Sequence, residues 1–559
     1  MSKVERTVKV AIVGSGLAGL TAAHMLCSRT NDIRCQDGVD FEVYLFEKRE
    51  SLGMDASSIS VPVPSADGRE LCNARINVPM HSFQAGCHPQ LTALYDRLGV
   101  TYRPSNLTYS FSHLVKTPSF VEKFEEQREI ITFMLYNGDS GRRGISVPAI
   151  LQDFAGGRIK PKGHLLTSRD RLLSSAAWMW TMGLFVLSSL QLLFCYLWLI
   201  SYSLPLFRPH AISRMTFAEW RDESTPSGVL FRWFGLDSAW DAFITSVLVP
   251  LFSAVCTAPE SMVLAHPVEE FLDYMWLTLG TNHYVTVHGV RDVVARLSLC
   301  VRHVHLNMLV SALRADLDDP TLISVHTGDD LHTKVLSGFN HVVFATGAPE
   351  AACLLQGYAA SLPNAMHAKR RAVEKQVQCL RRFVYTKNIV VNHRDASLLP
   401  RDPRDHRDLN FVVSQGSRLL HDTPEGGSCP MVSPAFTMTT QIISLGDTNA
   451  VVYQTTNPVV PPRDDSVLSV AELDRAVLTL QSKNAVRDLF DTGGHYWWKT
   501  TGRLGSLQGG GPTGPGIWLC GSYAYAGIPL LEGCVVSARN IVEQGIYVKE
   551  GVTRRGSPW

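Results

Sequence analysis

The chain has 559 residues, 45% of them hydrophobic and 18% charged, with a formal net charge of +1. That length exceeds what one small core fills and predicts two interleaved domains, while the near-neutral charge, without a long basic run, excludes nucleic acid as an expected partner. The 12 cysteines include no C-x-x-C pair, so free thiols are expected, with no zinc site, disulfide framework or other metal.

The first informative stretch is Lys9–Leu26. Lys9–Val13 is an apolar run that reads as a buried parallel strand, and Leu17–Leu26 follows with helical spacing. No secretory signal is expected ahead of this strand. Between strand and helix lies G-x-G-x-x-G, formed by Gly14, Ser15, Gly16, Leu17, Ala18 and Gly19. Gly14 allows the tight turn, Gly16 lets backbone approach a pyrophosphate, and Gly19 lets the helix pack close to the strand. The helix N-terminus adds free N–H groups and a positive dipole end. A second strand, Phe41–Glu47, ends in Glu47, an acid suited to the ribose hydroxyls of an adenosine. Glu47 comes later than the usual spacing of about 20 residues. The polar insert Asn31–Asp40, with Asp37-Gly38 as a turn, absorbs the excess.

After Glu47 come Lys48-Arg49-Glu50-Ser51-Leu52-Gly53-Met54-Asp55-Ala56, a Ser-rich strand, and the segment Arg75–Phe83. Pro89–Leu98 reads as an amphipathic helix stopped by Gly99, with Leu91, Leu94 and Leu98 on one face.

An acid followed by Lys48, Leu52-Gly53 and small residues, placed after a Rossmann unit, resembles the amine-oxidase-like flavoproteins. The chain is most similar to a branch of predicted FAD-binding oxidoreductases of bacteria and fungi, whose bacterial members are often associated with cyclopropane-fatty-acid synthase-like enzymes. The matching segments are Pro89–Val100, Phe271-Leu272-Asp273, Val287–Leu297, Phe339–Thr346, Asp395–Pro400 and Cys520–Tyr523. The resemblance covers nearly the whole chain outside roughly residues 115–215. The resemblance implies a two-dinucleotide-binding, Rossmann-like FAD domain of α/β class with an inserted α+β substrate domain of the amine-oxidase type. Two departures fall where the family's chain passes the flavin. Gly53-Met54 stands where a Gly-Gly pair is usual, and Asn77-Val78-Pro79 where many relatives have Asp-Thr-Gly.

From Ala176 to Leu204 the chain carries no charge. This passes the roughly 20-residue length of a membrane-crossing helix, with tryptophans and tyrosines near both ends. One crossing would separate the two ends of the FAD domain, so three readings stay open: an anchor in one leaflet, a helix lining an apolar tunnel, or a compensated span. All point to an oily substrate or a membrane surface. The expected location is the cytoplasmic side of a membrane, held through residues 176–204, and not secreted. Thr216 reads as a helix N-cap, and residues up to about 280 as helical and aromatic, with Trp233, Phe234, Trp240, Phe243, Phe252 and Tyr274.

His303–Val310 reads as a strand, and the resemblance implies that Val310 meets the adenine. Leu322–Thr327 reads as a half-exposed strand. A buried strand at His341–Phe344 ends in Ala345-Thr346-Gly347, a second glycine turn beside the first. Residues about 375–460 read as the substrate domain's sheet, with Asp402–Asp405 an exposed loop. The closing motif Gly516–Ala538 reads as strand, turn at Gly521-Ser522, then a helix beginning near Pro529 that includes Leu530 and Leu531. Its dipole would place positive potential at the flavin's pyrimidine end. The expected divisions are 1–110, first FAD part; 111–285, helical and substrate insertion with the apolar segment 176–204; 286–360, second FAD part; 361–505, substrate sheet; and 506–559, C-terminal FAD part.

In a flavoenzyme the ring does the redox chemistry and protein groups orient the substrate. The candidates for the substrate side are His81, as a base, and Tyr523 and Tyr525, as walls. His495–Trp498 is a further candidate lining, and Cys520 and Cys534 read as buried thiols. The expected activity is removal of hydride from a C–H bond of a lipophilic small molecule, with FAD as cofactor and oxygen restoring it. A double-bond isomerase or a fatty-acyl desaturase fits the same reading. From another class, a lipid-binding protein of the Rab GDP-dissociation-inhibitor type uses a similar fold without flavin. Substrate, electron acceptor and oligomeric state are not legible in the residues.

Overall fold

The computed structural model describes residues 6–28, 39–64, 71–79, 82–117, 127–138, 141–155, 168–328, 334–414, 433, 435–445, 451–491, 502–509, 516–552 and 559. Of the expected features, His81, His495–Trp498, the turn at Asp37-Gly38 and Cys35 lie outside them.

Arg6–Val13 is the middle of a five-stranded parallel sheet. Val39–Phe46 and His303–His305 extend it on one side, His341–Phe344 and Ile517–Leu519 on the other. Val10–Val13 and His341–Phe344 are buried throughout, as strands covered on both faces must be. The helix Leu17–Cys27 covers one face beside the C-terminal helix Leu531–Asn540. The helix Ala348–Ser361 packs on the other. Strands from both ends of the chain meet in one sheet, so the nucleotide-binding part is discontinuous.

The second layer is an eight-stranded mixed sheet. Its order is Val467–Val477, Val384–His393, Val451–Thr456, Met438–Ser444, Leu409–Ser414, Tyr109–Thr117, Gln127–Tyr136 and Ile145–Ser146. Leu409–Ser414 runs parallel to Tyr109–Thr117, and the other pairs are antiparallel. A Rossmann-like α/β sheet carrying a mixed-sheet insertion is the architecture that the resemblance to amine-oxidase-like flavoproteins implies.

Several local expectations change. The mixed sheet takes three strands from residues 109–146, most of which falls in the stretch read as helical and substrate insertion. His303–Val310 divides: His303–His305 joins the parallel sheet, and Val310–Ala315 opens a separate three-stranded sheet. Ile323–Thr327 is the middle strand of that sheet, so it is mostly buried rather than alternating. Asp405 is buried, because its carboxylate accepts the Ala149 amide at 2.9 Å. The C-terminal helix starts at Leu531, with Leu530 as N-cap. The helix Pro89–Leu98 and its stop at Gly99, φ 68°, are as expected.

Thr216 caps the helix Phe217–Ser224 through a capping box with Glu219. The helices that follow, up to Val268–Thr278, enclose an aromatic core of Trp220, Trp240, Phe217, Phe252 and Phe271. Against them lies one long helix, Ser168–Ser203. Cys195, Leu199 and Ser203 recur every fourth residue and are its buried stripe. Its outer side is apolar and bare.

Candidate active site: a glycine loop and an apolar cavity

The loop after Arg6–Val13 is fitted to its surroundings at three glycines and free at one. Gly14 has φ +98°, and a Cβ there would stand 2.9 Å from the Ala345 carbonyl oxygen. A Cβ on Gly19 would stand 2.0 Å from the Gly14 oxygen, and one on Gly53 1.8 Å from the Ser15 oxygen. These contacts close strand, helix and the Ala345-Thr346 turn together. Gly16 differs: a Cβ there would meet nothing within 4 Å. Gly16 is also the N-cap of Leu17–Cys27, a helix start with no side-chain cap. Open space above uncapped amides fits a phosphate-bearing ligand.

Glu47 sits at the same end of the sheet. Its Oε2 accepts the Ser15 amide at 3.2 Å and the Ser15 hydroxyl at 2.5 Å, and its Oε1 accepts the Arg49 amide at 3.0 Å. The Gly53 amide in turn donates to Ser15 Oγ at 2.8 Å. Met308 N–H donates to the Glu47 carbonyl at 2.8 Å, so the segment leading to Val310 lies alongside. Lys48 is exposed. Gly347 caps the helix Ala348–Ser361. Gly521, φ +146°, is tied to Ser537, whose hydroxyl accepts its amide at 3.0 Å, and Ser522 follows it in a single helical turn.

A cavity of about 840 Å³ lies between the mixed sheet and the helical unit. Leu530 and Leu531, at the start of the C-terminal helix, and Leu192, Leu193 and Tyr196 of the long helix are among its walls. Its volume is that of a small-molecule site. Its walls are mainly apolar. His283 is hydrogen-bonded to Gln84 Nε2 at 3.0 Å and lies 3.3 Å from the Tyr109 hydroxyl. Burial pulls both His283 and the neighbouring His88 down to about 4, so both rings are neutral at ordinary pH.

Tyr523 and Tyr525 do not line this cavity. Tyr523 is a core side chain 5.0 Å from the Phe383 ring, and Tyr525 lies 5.4 Å from the Phe490 ring. Cys520 and Cys534 are free thiols, and burial raises both. The structure therefore gathers Gly14, Ser15, Gly16, Glu47, Gly53, Ala345 and Thr346 at the carboxyl ends of the inner parallel strands, with Leu530 and Leu531 on the cavity. Sequence reasoning missed Gln84, His88, Tyr109, His283 and Arg475. Only Arg475 carried a signal, as a charge on the inward phase of an alternating strand.

No curated protein matches the chain. Among solved structures, an oxidoreductase from Methanosarcina mazei aligns at 11% identity over 96% of this chain and 100% of its own, with a TM-score of 0.44. Cyclohexylamine oxidase from Brevibacterium oxydans aligns at 12% over 97% and 100%, TM-score 0.43. A double mutant of putrescine oxidase aligns at 14% over 96% and 99%, TM-score 0.44. These values are too low for the likeness to carry a conclusion about this chain. Residues 12–98, which hold the glycine loop and Glu47, match the NAD(P)-binding Rossmann-like domain family.

Proposed function

We propose that the protein is an FAD-dependent oxidoreductase that removes hydride from a C–H bond of a lipophilic small molecule at a membrane surface. The observation that carries this reading is the course of the cavity. It runs from Leu530 and Leu531, on the nucleotide-binding part, to the inner face of a helix whose outer face is apolar and bare. Gly14, Gly16 and the Leu17 amide would hold the pyrophosphate, and Glu47 the ribose, with Val310 and the Ala345–Gly347 turn beside them. FAD, when bound there, supplies the hydride acceptor.

The chain's own groups orient the substrate and exclude water. Phe83, Phe111 and Phe411 present apolar surface to it. His283 and His88 are neutral wall groups, and burial makes both weak bases. No Asp or Glu lines the cavity among the described residues, so an ammonium group finds no counter-charge there.

A membrane surface is supported by two helical stretches long and apolar enough to cross a bilayer, Trp178–Ser203 and Leu236–Cys256. The second is half buried in the aromatic core, whereas the first is 11% buried. Val229–Trp233 packs beside it, with Phe231 6.0 Å from Phe194, and widens the bare apolar face. Anaerobic mixing with long-chain apolar compounds is expected to bleach the visible flavin band. Bleaching by short hydrophilic amines alone would contradict the reading.

A further inference from the structure

Val467–Val477 is an edge strand of the mixed sheet, and its residues alternate strictly up to Arg475. Leu468, Val470, Glu472 and Asp474 face solvent, while Val467, Ser469, Ala471 and Leu473 face inward. Arg475 continues the inward phase, and with Leu473 it lines the cavity. It is the one Lys, Arg, Asp or Glu among the described lining residues.

The guanidinium is poorly compensated. Its Nε donates to Thr257 Oγ1 at 3.2 Å, and among the described residues no carboxylate pairs with it. Burial accordingly pulls its pKa below the ordinary arginine value. A partly buried charge that no described carboxylate balances favours an entering anion. A planar fork of donors is the group that binds a carboxylate in two-point fashion. The other described wall residues offer apolar surface and neutral polar groups, so an anion entering the cavity meets attraction at one place. Cys534 stands in the first turn of the C-terminal helix, which puts Arg475 near Leu530 and Leu531.

We propose that Arg475 binds the carboxylate of an apolar-chain carboxylic acid, holding the head near Leu530 and Leu531 and the tail along the long helix. This rests on the lipophilic-cavity part of the function proposed above. It names the substrate class as an anionic amphiphile and sets the register of the chain against the reacting end of the cavity.

Equilibrium dialysis of the purified full chain with decanoate and with decanol, each below its micelle concentration, tests it. Wild type is expected to bind decanoate about tenfold or more tighter than decanol. Arg475→Met should bring that ratio near one while decanol affinity and the flavin spectrum stay unchanged, and Arg475→Lys should keep part of the preference. Equal affinities in wild type, or a preference that survives Arg475→Met, would overturn the assignment. Should Arg475→Met fail to fold, the wild-type ratio and Arg475→Lys decide. A colourless wild type that still prefers decanoate would overturn the flavin reading alone. A yellow protein without the preference would overturn this inference alone.

Discussion

A Cβ placed on Gly19 would stand 2.0 Å from the carbonyl oxygen of Gly14, whereas one placed on Gly16 would meet no atom within 4 Å. Two glycines of one motif thus differ: Gly19 is closed in by the protein, whereas Gly16 faces open space. Gly19→Ala is expected to destabilise the fold by roughly 1–3 kcal/mol through overpacking. Gly16→Ala is expected to shift stability by less than about 0.5 kcal/mol. It should weaken FAD binding about tenfold or more, by blocking the pyrophosphate's approach. Denaturant melts and FAD titration of both variants check this, and equal stability losses would count against the division.

The contrast shows how far the sequence reaches. G-x-G-x-x-G, Glu47 and the return of Ile517–Leu519 to the first sheet are legible because each follows from a local pattern of glycines and apolar strands. The join of Tyr109–Thr117 to Leu409–Ser414 is not, because it pairs strands about 300 residues apart with no local turn to announce it. Arg475 is legible as an inward charge only once the strand phase is known. His88 and His283 need the cavity itself, since no spacing relates them.

Lys483 Nζ lies 2.6 Å from Glu269 Oε2 and 2.9 Å from Glu270 Oε1, all three side chains at most 12% exposed. Lys483→Met removes the cation that faces both buried carboxylates and should cost about 3–5 kcal/mol. Adding Glu269→Gln and Glu270→Gln should recover part of the loss. A single-variant loss under about 1 kcal/mol in urea unfolding would contradict the ion-pair account.

Glu532 accepts the Gln90 and Leu91 amides at 2.9 and 3.0 Å, yet burial outweighs these bonds and lifts its pKa from 4.5 to about 7. The folded state therefore holds this proton more tightly than the unfolded chain. Its contribution is full below pH 4.5 and is lost as the pH rises through about 7. The histidines act oppositely: His88, His266 and His283, lowered to about 4 by burial, cost stability as the pH falls below 6.5. The difference between wild type and Glu532→Gln isolates the carboxyl. It should favour the variant increasingly above pH 5, by at most about 1.4 kcal/mol per pH unit. A flat difference from pH 5 to 8 would contradict this.

Trp180 and Trp233 are 71% and 78% exposed on the bare apolar face. Wild type should float with liposomes, and Trp180→Glu with Trp233→Glu should weaken that association roughly tenfold without changing the unfolding curve. Unchanged flotation of the double variant would remove this face from any membrane role.

The central claim is that the glycine loop, Glu47 and the cavity wall at Leu530 and Leu531 hold FAD. The most direct measurement is the visible absorption spectrum of the purified protein, taken before denaturation and on the supernatant after it. Flavin bands that pass into the supernatant are the predicted result. A colourless protein that added FAD does not reconstitute would contradict the account.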